Sequence, residues 1–455
     1  MTRAGGRRSA APPPTGRRPG QLRLALAGVG VVLLTLAALF AAGASGRATG
    51  PRPVPGTHLD LGARTFTCTG GLPGTTASAG SLDGGGHGVA VEGQDLPHPS
   101  FRVGQPTRVA ADRAVAARAF AVQQSTGPRW LAAEPCPEPR ATWWFVGAGA
   151  SDRHRSEITV ANPRPGVAIF DVDVLGPEGP VRAPGLHGLT LAPGAHRTID
   201  LARMAPSDGD VAVRIRTSQG LVAAAAAERW APGLIGSRTR AWVAAQPASG
   251  RDLALLGLPR AHQGSLVVAN PAEREAVVKL RVVSTSGTFQ PTRHASFTVP
   301  AGTVDDVDLS DVLDAKAAAV RLSASVPVTA TVRSVSGAAE AYATAAQRLR
   351  GTSVAGIPAA GRSRLVLASL GSGPARVTVQ VTGRHGQSLH TRHETVDAGA
   401  ATTLALPAHA LAVSVRSGGG DVAAGITTTS SAGLAAVPVA PAVTAQRRPG
   451  VLPAW

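Results

Sequence analysis

The sequence predicts an all-β protein: tandem immunoglobulin-like β-sandwich repeats after a single N-terminal transmembrane helix. Three observations carry this. An uncharged apolar run fills positions 24–44, three later stretches repeat one order of apolar strands and glycine turns, and aromatic residues make up only 3% of the 455. Cores must therefore be assembled from Val, Leu, Ile and Ala. Such small side chains suit several modest sandwiches better than one large core.

The chain begins with a polar, Pro-rich stretch carrying Arg3, Arg7, Arg8, Arg17 and Arg18. Residues 1–21 read as a disordered cytoplasmic tail. The run that follows, within 22–44, supplies the roughly 20 apolar residues a helix needs to cross a bilayer. Arginines before it hold the N-terminus in the cytoplasm, so everything after it is sent outside. The alternative is a signal peptide cleaved near Ala42-Gly43-Ala44. The run exceeds the usual signal core of about 7–15 residues, which favours an uncleaved anchor. Both readings export the remainder, and the Pro/Gly-rich linker 45–56 leads off the membrane.

The formal charge is +17, almost all of it arginine, with Lys279 and Lys316 as the lysines. So lopsided a choice, beside so much Ala, Gly and Pro, reflects a GC-rich coding bias and is not evidence for a nucleic-acid partner. It does permit attraction to anionic headgroups or wall polymers. The two cysteines, Cys68 and Cys136, both lie beyond the apolar run. An even pair in an oxidising compartment reads as a disulfide, and neither has a second Cys or a His at metal-ligand spacing.

Beyond the linker the sequence repeats itself. Three copies start on an apolar strand: Ile158-Thr159-Val160-Ala161-Asn162-Pro163, Leu266-Val267-Val268-Ala269-Asn270-Pro271 and Leu365-Val366-Leu367-Ala368-Ser369. An alternating strand follows, with Phe170, Val172 and Val174, or Val278, Leu280 and Val282, or Val377, Val379 and Val381 on one face. Later turns fall at Pro193-Gly194, Ala301-Gly302 and Ala398-Gly399, each leading by the same step to Leu201, Leu309 or Leu406. Each copy closes on a period-two strand and a partner strand, as in Val211, Val213 and Ile215 followed by Leu221-Val222-Ala223. Alternation with turn signals at this spacing predicts antiparallel, half-buried strands. About six or seven strands in roughly 100 residues is an immunoglobulin-like layout. Outward positions such as Arg214 and Arg216, or Thr378 and Gln380, are polar as a solvated face requires.

The expected domains are 57–142, a degenerate copy tied by its disulfide, then repeats at 143–250, 251–350 and 351–440, and a tail at 441–455. The first is placed by Ala119-Phe120-Ala121-Val122 and Trp130-Leu131-Ala132-Ala133, read as the closing hairpin of a repeat. The stretch Trp143-Trp144-Phe145-Val146-Gly147-Ala148-Gly149, with Ile158 to Pro163, Pro193-Gly194 and Ala227-Glu228-Arg229-Trp230, resembles an uncharacterised envelope family of high-GC Gram-positive bacteria, the domain-of-unknown-function family 5719. The likeness weakens in the third copy, where Ser369 replaces the Asn-Pro pair. The resemblance implies no established activity. It does imply a genetic neighbourhood shared with a large membrane glycosyltransferase, and so an envelope-glycan role that assigns no residue a task.

Catalytic motifs are missing. No His-Glu-x-x-His and no close cluster of metal ligands occurs among the twelve histidines. His154, His187, His196, His262, His294 and His385 fall in or near polar loops and read as solvated surface. Gly351-Thr352-Ser353-Val354-Ala355 and Gly386-Gln387-Ser388-Leu389-His390 are near misses for a nucleophile elbow. Asp83-Gly84-Gly85-Gly86-His87-Gly88 reads as a flexible turn. The acidic run Asp305, Asp306, Asp308, Asp311 and Asp314 lacks the glycine of a calcium loop and reads as a strand edge entering a short capped helix. No cofactor is expected. Trp143 and Trp144 are the possible binding residues, as a sugar-stacking platform, against a plainer reading as a plug at a domain junction. The expected function is a non-catalytic, membrane-anchored extracytoplasmic scaffold that partners an envelope protein. The alternative is a wall-glycan-binding module, and a hydrolase is the least favoured.

Overall fold

The computed structural model describes residues 33–35, 57–60, 62–82, 87–95, 98–231, 238–246, 248–314, 317–337, 339–442 and 445–448. Of the apolar run expected to span the membrane, residues 33–35 are helical and the rest lies outside the described residues. The tail 1–21, the linker 45–56 and residues 83–86 lie outside them too. No helix among the described residues is long and apolar enough to cross a membrane. Near the two ends of the chain, Thr57–Asp60 pairs with Ala445–Arg448.

Residues 60–445 form one compact unit. It is nearly all β and contains four antiparallel modules, each enclosing its own apolar core; modules 1 and 4 are pairs of four-stranded sheets, whereas the strands of modules 2 and 3 join into single sheets of ten and eight strands. Module 4 shows the plan. One sheet runs Thr352–Gly356, Ala410–Gly419, Ala375–Gly383, Ser388–Val396; the other runs Ala401–Ala405, Arg362–Ser369, Val422–Thr429, Leu434–Val439. Module 1 keeps this order, from Arg64–Cys68 to Trp130–Pro135, so the degenerate region is a full copy. Its disulfide, Cys68–Cys136, joins the first strand to the residue after the last.

Two details differ from the expected layout. The Ala119–Gly127 and Trp130–Pro135 hairpin of module 1 corresponds to Ala223–Trp230 with Thr239–Val243, one strand later than the sequence reading placed it. Each module therefore ends on an additional strand. In module 3 the two closing strands are one continuous element, Ala319–Ser336, whose first and second halves pair with different strands.

The larger correction concerns assembly. Sandwiches strung in tandem would leave the outer face of each sheet in water; here the modules close into a four-blade, propeller-like ring. The four final strands, Trp130–Pro135, Thr239–Val243, Ala339–Thr344 and Leu434–Val439, line the axis, each packed on the next and the last on the first. The opposite strands Trp130–Pro135 and Ala339–Thr344 also touch, so the axis is filled. One face of each module lies on the next module: Trp144 and Val146 on Val267 and Ala269, Leu256 on Val366 and Ala368, Leu411 and Ala412 on Phe120, Leu72 on Ala225 and Trp242. Closure between modules 4 and 1 needs Gly433, where an added Cβ would stand 2.3 Å from the backbone nitrogen of Leu131.

The Asn-Pro repeat also finds its physical reason. Asn162 donates from Nδ2 to the carbonyls of Gly166, Leu191 and Ala192, while its Oδ1 accepts from the Arg164 amide. Asn270 makes the same set with Arg274, Val299, Pro300 and Ala272. One buried amide thus satisfies several turn groups that would otherwise be orphaned. Ser369, in the third copy, keeps a single bond to the Gly373 carbonyl.

Candidate functional site: the charged seam between modules 2 and 3

Strand periodicity puts polar groups on interior faces at one seam. In module 2, His154 and Ser156 share a face with the core residues Ile158 and Val160. Across the ladder, Ser156 pairs with Glu228 and His154 with Trp230. From Ser207–Gln219, beyond the intervening strand Thr142–Ala150, Asp210 points the other way, toward module 3, beside Ala212. In module 3, Arg333 alternates with the core residues Ala330 and Val332 and so faces module 2, paired with Tyr342 on the axial strand.

These groups meet. Arg333, only 5% exposed, donates from Nη1 to Asp210 Oδ1 at 2.5 Å and from Nη2 to Asp306 Oδ2 at 3.2 Å. Its guanidinium carbon lies 4.7 Å from the Trp230 ring centroid. His154 Nδ1 is 3.4 Å from the same Asp210 oxygen, and its Nε2, 3.5 Å from Glu228 Oε1, has no hydrogen-bond partner. Glu228 accepts from the Ser156 hydroxyl and from the Gly149 and Arg229 amides. Glu340 accepts from Thr239 Oγ1 at 2.5 Å and from the Tyr342 hydroxyl at 2.8 Å. That hydroxyl also lies 3.3 Å from the Gly147 carbonyl of module 2.

Burial dominates the electrostatics. It lowers His154 to about 4, against the attraction of Asp210, so the imidazole is neutral at pH 7. Burial, then the nearby charge of Glu340, pushes Glu228 up to about 8. Burial likewise raises Glu340, and burial with the adjacent Asp210 carries Asp306 up to about 6. Desolvation works against the Arg333 charge, yet Asp210, Tyr342 and Glu340 together more than offset it and the guanidinium is held more firmly protonated than usual. The result is one fixed cation among four carboxyl groups, with Glu228 predominantly protonated at neutral pH. Over the seam lie two open depressions of about 410 and 500 Å³, both lined by Trp230, Asp306 and Arg333.

The residues singled out from sequence fall elsewhere. Trp143 and Trp144 are 0% and 4% exposed, so neither offers a ring face to a sugar. Trp143 stacks with Phe145, lies under Arg140 at 3.7 Å and donates from Nε1 to the Val222 carbonyl. Trp144 packs across the seam onto module 3. The expectation of a solvated His154 is corrected by its burial, whereas His187, His196, His262, His294 and His385 are exposed. In the acidic run, Asp308 accepts from the Ser310 amide and hydroxyl at the start of the short helix Ser310–Asp314, and Asp306 is taken by Arg333. Among the described residues, no group of three or more His, Cys, Asp or Glu side chains could hold a metal ion. Sequence reasoning missed Arg333, Asp210 and Glu340. Parity with Ile158 could have placed His154 inside; nothing local marks the other three.

Comparison with known proteins adds the following. A family model described as a family of unknown function, DUF5719, matches residues 90–407. No curated protein matches the chain. Two solved structures of infectious bursal disease virus, from the Gx and Gt strains, align over 83% of this chain at 8% and 11% identity. They are covered over 74% and 71% of their own length, with TM-scores of 0.10 and 0.11.

Proposed function

The chain belongs to this family of unknown function, and from that premise we propose that it is a non-catalytic platform of the cell envelope, held outside the membrane by the apolar segment at 22–44. We read each module as immunoglobulin-like in layout, used here as one blade of the propeller-like ring; the alternation of buried positions along its strands supports that reading. One observation above all supports a platform over an enzyme. Two carboxyl groups held well above their ordinary range, Glu228 and Glu340, are 0% and 1% exposed, are bonded to hydroxyls and backbone amides inside the 2–3 seam, and line neither depression above it. Catalytic acids and bases with such shifts are instead presented to a cleft within reach of a substrate. A disulfide at Cys68–Cys136 suits an oxidising compartment. The partner is an envelope protein, and the depressions flanked by Gln263, Asp308 and Trp230 are its docking surface.

The test places a photo-crosslinking residue at Gln263 in intact cells, with a reporter active only outside the cytoplasm fused after Trp455. The expected result is reporter activity, recovery in the membrane fraction and crosslinks to an envelope protein. Crosslinks to wall polymer alone would transfer the assignment to glycan binding. Recovery with the cytosol would overturn the platform reading.

A further inference from the structure

Arg333 spends its guanidinium on Asp210, Asp306 and Ser265. Two further carboxyl groups at the seam, Glu228 from module 2 and Glu340 from module 3, are 0% and 1% exposed, and neither has a hydrogen bond to a cationic side chain among the described residues. Their partners are the hydroxyls of Ser156, Thr239 and Tyr342 and backbone amides. Two uncompensated carboxylates cannot both be ionised in so dry a place. The 3–4 contact, by contrast, packs Ala, Val and Leu side chains on one another.

We propose that Glu228 and Glu340 form a proton latch: the ring closes between modules 2 and 3 while this pair carries protons, and their loss unfastens that seam and leaves the 3–4 contact shut.

Five titratable groups face the pair. From module 2 these are His154, neutral above its value of about 4, and Asp210, held by Arg333. From module 3 they are Arg333 and Tyr342, both raised, and Asp306, already ionised above about 6. Between pH 6.5 and 8 the carboxyl pair is therefore what titrates. Its folded-state value lies above the ordinary one of about 4.3, as Glu228 at about 8 illustrates. The stabilisation it gives is complete below the ordinary value and is lost as pH rises through the folded value. When opening releases one proton, the opening equilibrium grows about tenfold per pH unit across this window and then levels off.

Hydrogen–deuterium exchange of the full chain, expressed as protection factors so that base catalysis is divided out, reads this directly. From pH 6.5 to 8.5, protection in His154–Ala161, Ala223–Trp230 and Ala339–Thr344 is expected to fall by about tenfold or more. In Arg362–Ser369 and Val422–Thr429 it should stay within about twofold, because no such pair borders them. Glu228→Gln, which keeps a neutral side chain of the same shape, should flatten the seam profile, and Glu340→Gln should reduce its slope. An equal loss at both junctions of the unaltered protein overturns the latch without any variant. A seam slope that persists in both variants overturns it as well.

Discussion

Module 3 touches two neighbours. Toward module 4 it presents Ala254, Leu256 and Val283, which lie on Val366, Ala368 and Ala423. Toward module 2 it presents Arg333, Asp306, Glu340 and Tyr342, which meet Asp210, Glu228 and His154 beside a smaller apolar patch around Trp144 and Val267. The first contact is non-directional, and its strength follows the area it removes from water. The second is directional. Each buried charge and hydroxyl needs its own partner, and a partner out of place costs more than an aliphatic contact slightly loosened. The difference teaches that the ring is glued at one junction and keyed at the next, so that the charged seam sets the register in which modules 2 and 3 meet.

Substitutions can break that contrast. The largest effect is expected from Arg333→Ala, which strands Asp210 without a cation. Removing one partner of a buried pair costs about 3–5 kcal/mol, measured as a loss of unfolding free energy in denaturant. On the glued side, Leu256→Ala removes a side chain that is 4% exposed. About 2–4 kcal/mol is expected there, with no change in the pH profile of stability. Should Leu256→Ala alter that profile while Arg333→Ala leaves it alone, the assignment of chemistry to the two junctions is wrong. The smallest effects sharpen the comparison among copies. Asn162→Ala removes hydrogen bonds to three carbonyls and an amide and should cost about 1–3 kcal/mol. Ser369→Ala, which loses one bond, should cost about 1 kcal/mol or less by the same measurement.

Much of the architecture was legible because strand periodicity reports which face is buried. Phe170, Val172 and Val174, Val278 to Val282, and Val377 to Val381 all lie on core faces as their alternation indicates. The cysteine pair was legible too, since two cysteines leave one connectivity. Ring closure was not read, although its trace is present. Leu266-Val267-Val268-Ala269 is buried at all four positions, and Ala223 to Ala227 likewise. A strand without polar alternation is covered on both faces, which a free sandwich does not provide. The charged seam had no comparable trace. Arg333 and Asp210 are separated by 123 positions and belong to different modules, so their meeting depends on how two folded bodies dock. The aromatic pair Trp143 and Trp144 drew attention as rare large side chains, and it is rarity that sends them inside: a core of Ala and Val has few other residues able to fill volume.

Ring closure also imposes an order in time. A chain emerging N-terminus first completes module 1 long before the residues that cover its outer face, Leu411 and Ala412 over Phe120, and Gly433 against Leu131, have been synthesised. For that interval module 1 carries an apolar flank with no occupant. It is also the module whose ends are joined covalently, by Cys68–Cys136. The cross-link constrains the unfolded chain by about 2–4 kcal/mol without waiting for any neighbour. A molecule that shuts its circle with its last blade keeps its first blade folded, meanwhile, by a bond the other three do not need.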